Sequence, residues 1–558
     1  MILGKAEKLY LGNFTTMDDI KPFAKALTVV GNKIQYVGSV ETAKSLCDEN
    51  TEVFDFSDKF IYPGFLDSHT HGLFAGYRAI GQANVSQINP PDREKYREII
   101  KKFIDDNPTK EVYLAAGWLE GLEPEGVVFD RAFLDEICPD KPLMLNSGGG
   151  HSILLNTAAM KHYGVDKKYA EEYGTDLVRV DENGEPTGYL CEGPAVKVAT
   201  SIPISLEDAK EFLLNWQDFT LSNGFTGVAD AGVEIVHPNG LPAYVELEKE
   251  NKLNLYTFGY LMVKDNDENP KECAKQCHEK AEKYNSQHFT IVGSKVFLDG
   301  VLEAHTCWML DEFADQAGYF GNKRFTDPEK MTELIAEDAK YGLAVHAHSD
   351  GDAATKFMLD CIEAAEKISG NTDQRNALAH LQFVRPEDIK RMADTNSIAI
   401  VPPLWTPALP GNYENEIRMV GAERAANQYP IKSFIDAGAD VVFHSDYPIS
   451  PSFNGPISIY CSVLRGLPNM EDPNGGIIDG TVRGENEVTN RMEALAALTK
   501  NVAYMWHQEN NLGTLAVGKI ANLSIFDTDL LNDELGKLLK TNVVATVVDG
   551  KVVYKKQI

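Results

Sequence analysis

The sequence predicts an α/β fold in which eight short strands alternate with helices, and three observations carry it. An apolar strand within the stretch Tyr62 to Gly72 runs straight into two histidines, His69 and His71. From residue 226 onward seven more short apolar runs follow, most of them separated by helical patterns. Each run is apolar almost throughout rather than alternating, as expected of strands buried on both faces. Eight β/α units favour a closed barrel, although an open doubly wound sheet satisfies the same count.

The elements follow in order. Residues 8–12, 26–30 and 32–38 are strand-like, with a Gly31-Asn32 turn between the last two, and form a small β unit. The opening barrel strand, within Tyr62 to Gly72, comes next. About 150 residues then separate it from the second strand, too many for a bare loop, so an inserted lobe is expected over 73–225. That lobe should hold a charged helix near 91–105, a strand at 112–116, the glycine run 148–150 before His151, and a segment ending Cys191-Glu192-Gly193. Ser205 can cap a helix that Gly224 stops. Strands are read at 226–231, 255–261, 291–298, 343–348, 376–380, 397–401 and 440–444. Helices are read at 328–342 behind a Thr326 or Asp327 cap, 353–369 before Gly370, 386–393, 431–437 and 491–506. The last fifty residues return to β character around an Asp549-Gly550 turn. The expected organisation is a small discontinuous β domain from 1–60 and 508–558, and a barrel over 61–507 that contains the lobe.

Composition bounds the function. With 53 basic and 83 acidic residues the net charge is −30, which argues against nucleic acid and anionic membranes as partners. No apolar run reaches the length of a signal peptide or a membrane span. Eight cysteines without a Cys-x-x-Cys pair suit free thiols in a reducing cytoplasm. Cys273 and Cys277, next to His278, sit at helical i,i+4 spacing in a charged stretch and read as part of a helix rather than as a metal site.

Chemistry concentrates where the strands end. His69 and His71 lie two residues apart, so they share one strand face. With 13 His in 558 residues, chance supplies only about 0.3 His-x-His pairs. A second pair, His346 and His348, ends the fifth strand; His380 ends the sixth and His444-Ser445-Asp446 the eighth. Lys295 sits inside the apolar fourth strand. Such a lysine either snorkels or pairs with an acid, or its amine is carboxylated by CO₂ to give an anionic metal ligand.

These motifs together resemble the amidohydrolase superfamily, in the branch of YtcJ-like and N-substituted formamide deformylase-like proteins. The resemblance runs through Pro63-Gly64-Phe65-Leu66-Asp67-Ser68-His69-Thr70-His71, Lys295-Val296-Phe297-Leu298-Asp299-Gly300, His348-Ser349-Asp350-Gly351-Asp352, Ala379-His380-Leu381-Gln382, Ser445-Asp446-Tyr447-Pro448 and the stretch 512–523. It implies a TIM-type (β/α)8 barrel with an inserted lobe after strand one and a small discontinuous β-sandwich from both termini. It further implies that His69, His71, Lys295 and Asp446 hold one divalent metal, with Lys295 (as N6-carboxylysine), His348 and His380 holding a second. Zinc suits that nitrogen and oxygen set, with manganese, iron or nickel as alternatives. Asp446 matches the catalytic aspartate. Two positions depart from the pattern: His444 stands where glycine is usual, and Asn522 where aspartate is common.

The expected function is metal-dependent hydrolysis of a C–N bond in an amide or formamide-like small molecule. Its rivals are a deaminase or a cyclic amide or lactone hydrolase on the same barrel, and a catalytically silent binding or regulatory protein. His151, Glu192, Trp405 and His444 are the candidate substrate contacts, and His346 is read as packing or support. The expected partner is a small molecule, with neither nucleic acid nor membrane; a homodimer is allowed, and the expected location is the cytoplasm.

Overall fold

The computed structural model describes residues 4–148, 152–175, 177–199, 201–263, 268–450, 452–472 and 474–556. Eight strands form one parallel sheet in chain order: β1 (Phe65–Thr70), β2 (Phe225–Asp230), β3 (Tyr256–Met262), β4 (Phe289–Phe297), β5 (Ala344–Ser349), β6 (Ala377–His380), β7 (Ile398–Val401) and β8 (Asp440–Phe443). The ends of the sheet meet. Ser68 Oγ donates to the Phe443 carbonyl at 2.8 Å, Asp446 N to the His69 carbonyl at 3.0 Å, and His71 N to the Tyr447 carbonyl at 3.0 Å. The fold is therefore a nearly closed TIM-type (β/α)8 barrel. Its strands are short and rich in Val, Ile, Ala and Phe, and β1, β2, β5, β6 and β7 are buried along their whole length. Where strands crowd, the side chain vanishes: a Cβ on Gly293 would run into the Ala344 carbonyl oxygen.

The helices start and stop on local signals. Asp327 accepts from Glu329 N and Lys330 N ahead of Pro328–Lys340. Asp352–Ser369 ends at Gly370, whose φ of 71° is the left-handed cap that glycine takes without strain. The helix expected over 491–506 is two, Arg491–Ala497 and Lys500–Met505. The break is at Thr499, whose hydroxyl takes the Leu495 carbonyl at 2.5 Å and whose backbone leaves the helical region.

Both termini build a second, seven-stranded sheet in the order Lys551–Lys555, Val543–Val548, Leu523–Phe526, Glu52–Pro63, Lys8–Thr15, Phe23–Val30, Lys33–Gly38. It curls over one core, in which Leu27, Val29 and Ile34 meet Leu523, Ile525 and Val547. Its central strand, Glu52–Pro63, passes through Gly64 directly into β1. This sheet and the barrel belong to one compact unit, residues 1–72, 216–235 and 244–558.

Asp549, at the turn between the last two strands, ties that sheet to the start of the barrel strands. Its carboxylate accepts from Tyr256 Oη (2.8 Å), Gln287 Nε2 (2.7 Å) and Asn32 Nδ2 (3.2 Å), and faces His288 Nε2 at 2.8 Å. His288 Nδ1 lies 3.2 Å from Glu248.

The second compact unit comprises 73–215 and 236–243. It has its own six-stranded sheet, in the order Val178–Val180, Pro186–Cys191, Ser152–Leu155, Leu143–Ser147, Tyr113–Trp118, Ala83–Asn84. Tyr96, Ile100, Phe133, Leu134 and Leu145 pack a core on it. The charged helix is Arg93–Asp106, capped by Asp92. Among the described residues no helix is long and apolar enough to cross a membrane.

The Asp549 clamp makes stability depend on pH. Burial lowers the His288 imidazole, but the Asp549 and Glu248 carboxylates more than reverse this and raise it to about 9. A raised pKa contributes stability fully below the unfolded value, about 6.5, and loses it as pH rises through the folded one. The thermal midpoint of the parent should therefore exceed that of His288→Gln most at about pH 6, and the gap should close by about pH 10. A gap that does not change with pH would show that the imidazole acts only by packing.

Candidate metal-binding site

The carboxyl ends of the barrel strands bring ionisable side chains to one point. β1 delivers His69 and His71, β4 Lys295, β5 His346 and His348, and β6 His380; His444 and Asp446 follow β8. Asp446 Oδ1 lies 3.4 Å from His69 Nε2 and 3.3 Å from His71 Nε2. His69, His380 and Asp446 each offer a ligand atom, and these atoms lie within 4.8 Å of one another. His380 and Asp446 reach that spot with φ of 81° and 51°, conformations that cost about 1–3 kcal/mol each and are typical of functional sites.

Of the residues expected as ligands, all six lie on this rim and are buried or nearly so. Lys295 is fully buried, and its amine has no hydrogen-bond partner among the described residues. It lies 4.9 Å from the centre of the Phe297 ring. Burial lowers it to about 7, against the pull of Asp446 and Asp350. Burial likewise holds the His69, His346 and His380 imidazoles well below their ordinary range, helped by their cationic neighbours, and lowers His444 to about 4. For Asp446, burial works upward, but His71, His444 and Lys295 more than offset it and keep the carboxyl below its usual value.

Three supporting residues carry more than the sequence revealed. His346 meets His69 directly, Nε2 to Nδ1 at 2.8 Å, with the Tyr260 ring 4.7 Å away on its other side. Strand alternation places His346 and His348 on one face but says nothing of depth. Register does, since His346 pairs with Lys295 and His348 with Phe297. Asp299 is fully buried, and all its hydrogen bonds go to the β5 end and a nearby loop. Oδ1 takes His348 Nδ1 (3.0 Å) and Asp350 N (3.2 Å), and Oδ2 takes Gly351 N (2.8 Å) and Trp308 N (3.0 Å). Asp67 accepts from His69 N and Ser445 N, joining β1 to β8, and burial raises its carboxyl to about 7. Two-residue spacing ahead of His69 and four-residue spacing behind Lys295 were the available signals for Asp67 and Asp299.

The expected substrate contacts divide. Trp405, after β7, stacks parallel to His380 at 5.6 Å and meets His444 edge-on at 5.7 Å. Its indole N–H donates to Ser450 Oγ at 2.8 Å, and its carbonyl accepts from Arg483 at 2.6 Å. His444 packs 5.3 Å from the His69 ring and 5.0 Å from the His380 ring. His151 and the side chain of Glu192 lie outside the described residues; the backbone of Glu192 opens the helix Glu192–Ala199.

The donor set fits a divalent transition metal. Lys295 Nζ, His71 Nδ1, His380 Nδ1 and Asp446 Oδ1 are buried without hydrogen-bond partners among the described residues. Imidazole, amine and carboxylate donors of this kind suit zinc and its neighbours, whereas unpartnered burial is otherwise costly.

A barrel that gathers imidazoles, an amine and a carboxylate at the carboxyl ends of its strands has the layout of a hydrolase of the metal-dependent class. The chain belongs to the Amidohydrolase family, whose model matches residues 52–554. It is 26% identical over 556 residues to Protein LONG AFTER FAR-RED 3 of Arabidopsis thaliana, covering 97% of this chain and 90% of that protein. It is 24% identical over 563 residues to the N-substituted formamide deformylase of Arthrobacter pascens, covering 98% and 97%. In fold it is similar to the crystal structure of an uncharacterized metal-dependent hydrolase from Pyrococcus furiosus, with a TM-score of 0.73 at 24% identity over 94% of this chain and all of that one.

Two measurements follow. Replacing the unpartnered amine by an apolar chain of similar length, Lys295→Met, should stabilise the metal-free protein by roughly 1–3 kcal/mol in urea unfolding while lowering metal uptake. A destabilised variant would mean that the amine has a partner in solution. Asp299→Ala should weaken zinc binding about 10–100-fold in chelator competition by releasing His348; unchanged affinity would show that Asp299 does not support the site.

Proposed function

We propose that this protein is a metal-dependent hydrolase that cleaves the C–N bond of a non-peptide amide or formamide-like small molecule. The observation that carries the reading is the convergence of His69, His380 and Asp446 on one buried point, with His71 against the same carboxylate oxygen and the unpartnered Lys295 beside them. Family membership and the likeness to a formamide deformylase support the choice of bond.

In this reading His69, His71, Lys295 and Asp446 would hold one ion, and Lys295, His348 and His380 a second. Lys295 would serve both sites as a carbamate: burial lowers its amine to about 7, which favours the neutral form that adds CO₂. The chemistry such an ion supplies is Lewis acidity, which brings the pKa of water near neutrality.

The chain's own residues do the rest. Asp446 accepts a proton at its carboxylate from the attacking water as the oxygen bonds to the carbonyl carbon and the C=O π pair moves onto the carbonyl oxygen. As that pair returns and the C–N bond breaks, Asp446 passes the proton to the departing nitrogen. His71, 3.3 Å from Oδ1, with His444 and Lys295, holds the carboxyl below its usual value and so ionised. Asp67 and Asp299 position the ends of β1 and β5 from behind.

Elemental analysis with an amide panel tests this. The parent should carry about two zinc or similar ions per chain and release amine from simple formamides or amides. Asp446→Asn should lower kcat at least about 10²-fold. About one ion per chain with release of ammonia would favour a deaminase, and no ion after loading with metal and bicarbonate would sink the reading.

A further inference from the structure

We propose that His444 is a catalytic residue that donates a hydrogen bond from its imidazole to the carbonyl oxygen of the substrate; this rests on the amide-hydrolase reading above. His444 is buried at the end of β8, and neither ring nitrogen has a hydrogen-bond partner among the described residues. A neutral imidazole carries one N–H donor and one acceptor. Leaving both unpaired in the interior is expensive, so a partner from outside the polypeptide is called for.

The place of the ring says which partner. It packs 5.3 Å from His69 and 5.0 Å from His380, two residues before Asp446. It therefore borders the point where the ligand atoms of His69, His380 and Asp446 converge, yet it is not one of that group. Two neighbouring donors are committed elsewhere: His69 Nδ1 is engaged with His346, and the Trp405 indole N–H is given to Ser450. Among the described residues of this rim, His444 has both ring nitrogens unpartnered and stands outside the proposed ligand set, so its N–H is available to the reacting carbonyl. When water oxygen bonds to the carbonyl carbon, the π pair collects on the carbonyl oxygen, and a donor already in place stabilises that charge without reorganisation. When the C–N bond breaks, the pair returns and the hydrogen bond relaxes.

The experiment compares the metal-loaded parent with His444→Phe, which keeps a ring without a donor, and His444→Gln, which keeps an N–H. Three quantities are read: metal per chain, kcat and KM on an amide that the parent cleaves, and affinity for formate by calorimetry. The expected result is unchanged metal content, kcat down about 10²–10³-fold in His444→Phe with weaker formate binding, and partial recovery of both in His444→Gln. Should His444→Phe misfold, His444→Leu, which also lacks a donor, gives the same comparison. Parent-like kcat and formate affinity in His444→Phe would overturn the proposal, and so would metal loss in step with kcat, which would make His444 a ligand. A loaded parent that neither cleaves amides nor binds formate would overturn the hydrolase reading, and this one with it.

Discussion

The seam between the last barrel strand and the first is the contact on which the rest of the structure depends. Ser68, His69 and His71 on one side meet Phe443, Asp446 and Tyr447 on the other through three hydrogen bonds, and Asp67 adds a carboxylate across the same line by accepting from Ser445 N. Closing the barrel and bringing Asp446 against His69 and His71 are thus a single event. A parallel barrel leaves its carboxyl-end loops free to carry chemistry, and here the closure itself supplies the geometry.

That geometry is held at a cost. Lys295, His346, His380 and Asp446 are withdrawn from water with polar atoms that have no partner among the described residues, and two of the backbone positions that present them sit at positive φ. Such groups oppose folding unless something compensates. The compensation is the surrounding apolar barrel and the curled terminal sheet, whose cores are continuous runs of Val, Ile, Leu and Phe. The protein carries a destabilised rim on a well-packed base, the usual balance between function and stability.

Much of this was legible in the sequence because two simple periodicities apply. Apolar runs separated by capped helices gave the eight strands, and period-two spacing put His69 with His71 and His346 with His348 on shared faces. What spacing could not convey was depth within the barrel. His346 read as either packing or support, and its register opposite Lys295 and its contact with His69 show it to be support. The strand Glu52–Pro63 escaped notice for another reason. Its charged residues Glu52, Asp55, Asp58 and Lys59 interrupt the apolar pattern, and a register shift opposite Gly12 and Asn13 breaks its alternation. The break at Thr499 was hidden because a side-chain hydroxyl, not a glycine or proline, makes it.

The position of that strand has a consequence for how the molecule comes into being. Glu52–Pro63 leads through Gly64 into the strand that bears His69, yet its neighbour on one side is Leu523–Phe526, and Phe65 N bonds to Ser524 Oγ across 459 residues of chain. On a ribosome adding about 5–20 residues per second, the head of the chain waits roughly half a minute to a minute and a half for that partner. Through this interval the strand edge awaiting Leu523–Phe526 is open, and open edges invite pairing with other chains. Asp58 and Lys59 stand directly before Phe60–Pro63, the stretch that pairs with Leu523–Phe526, and charges flanking an open edge in this way oppose its pairing with other chains.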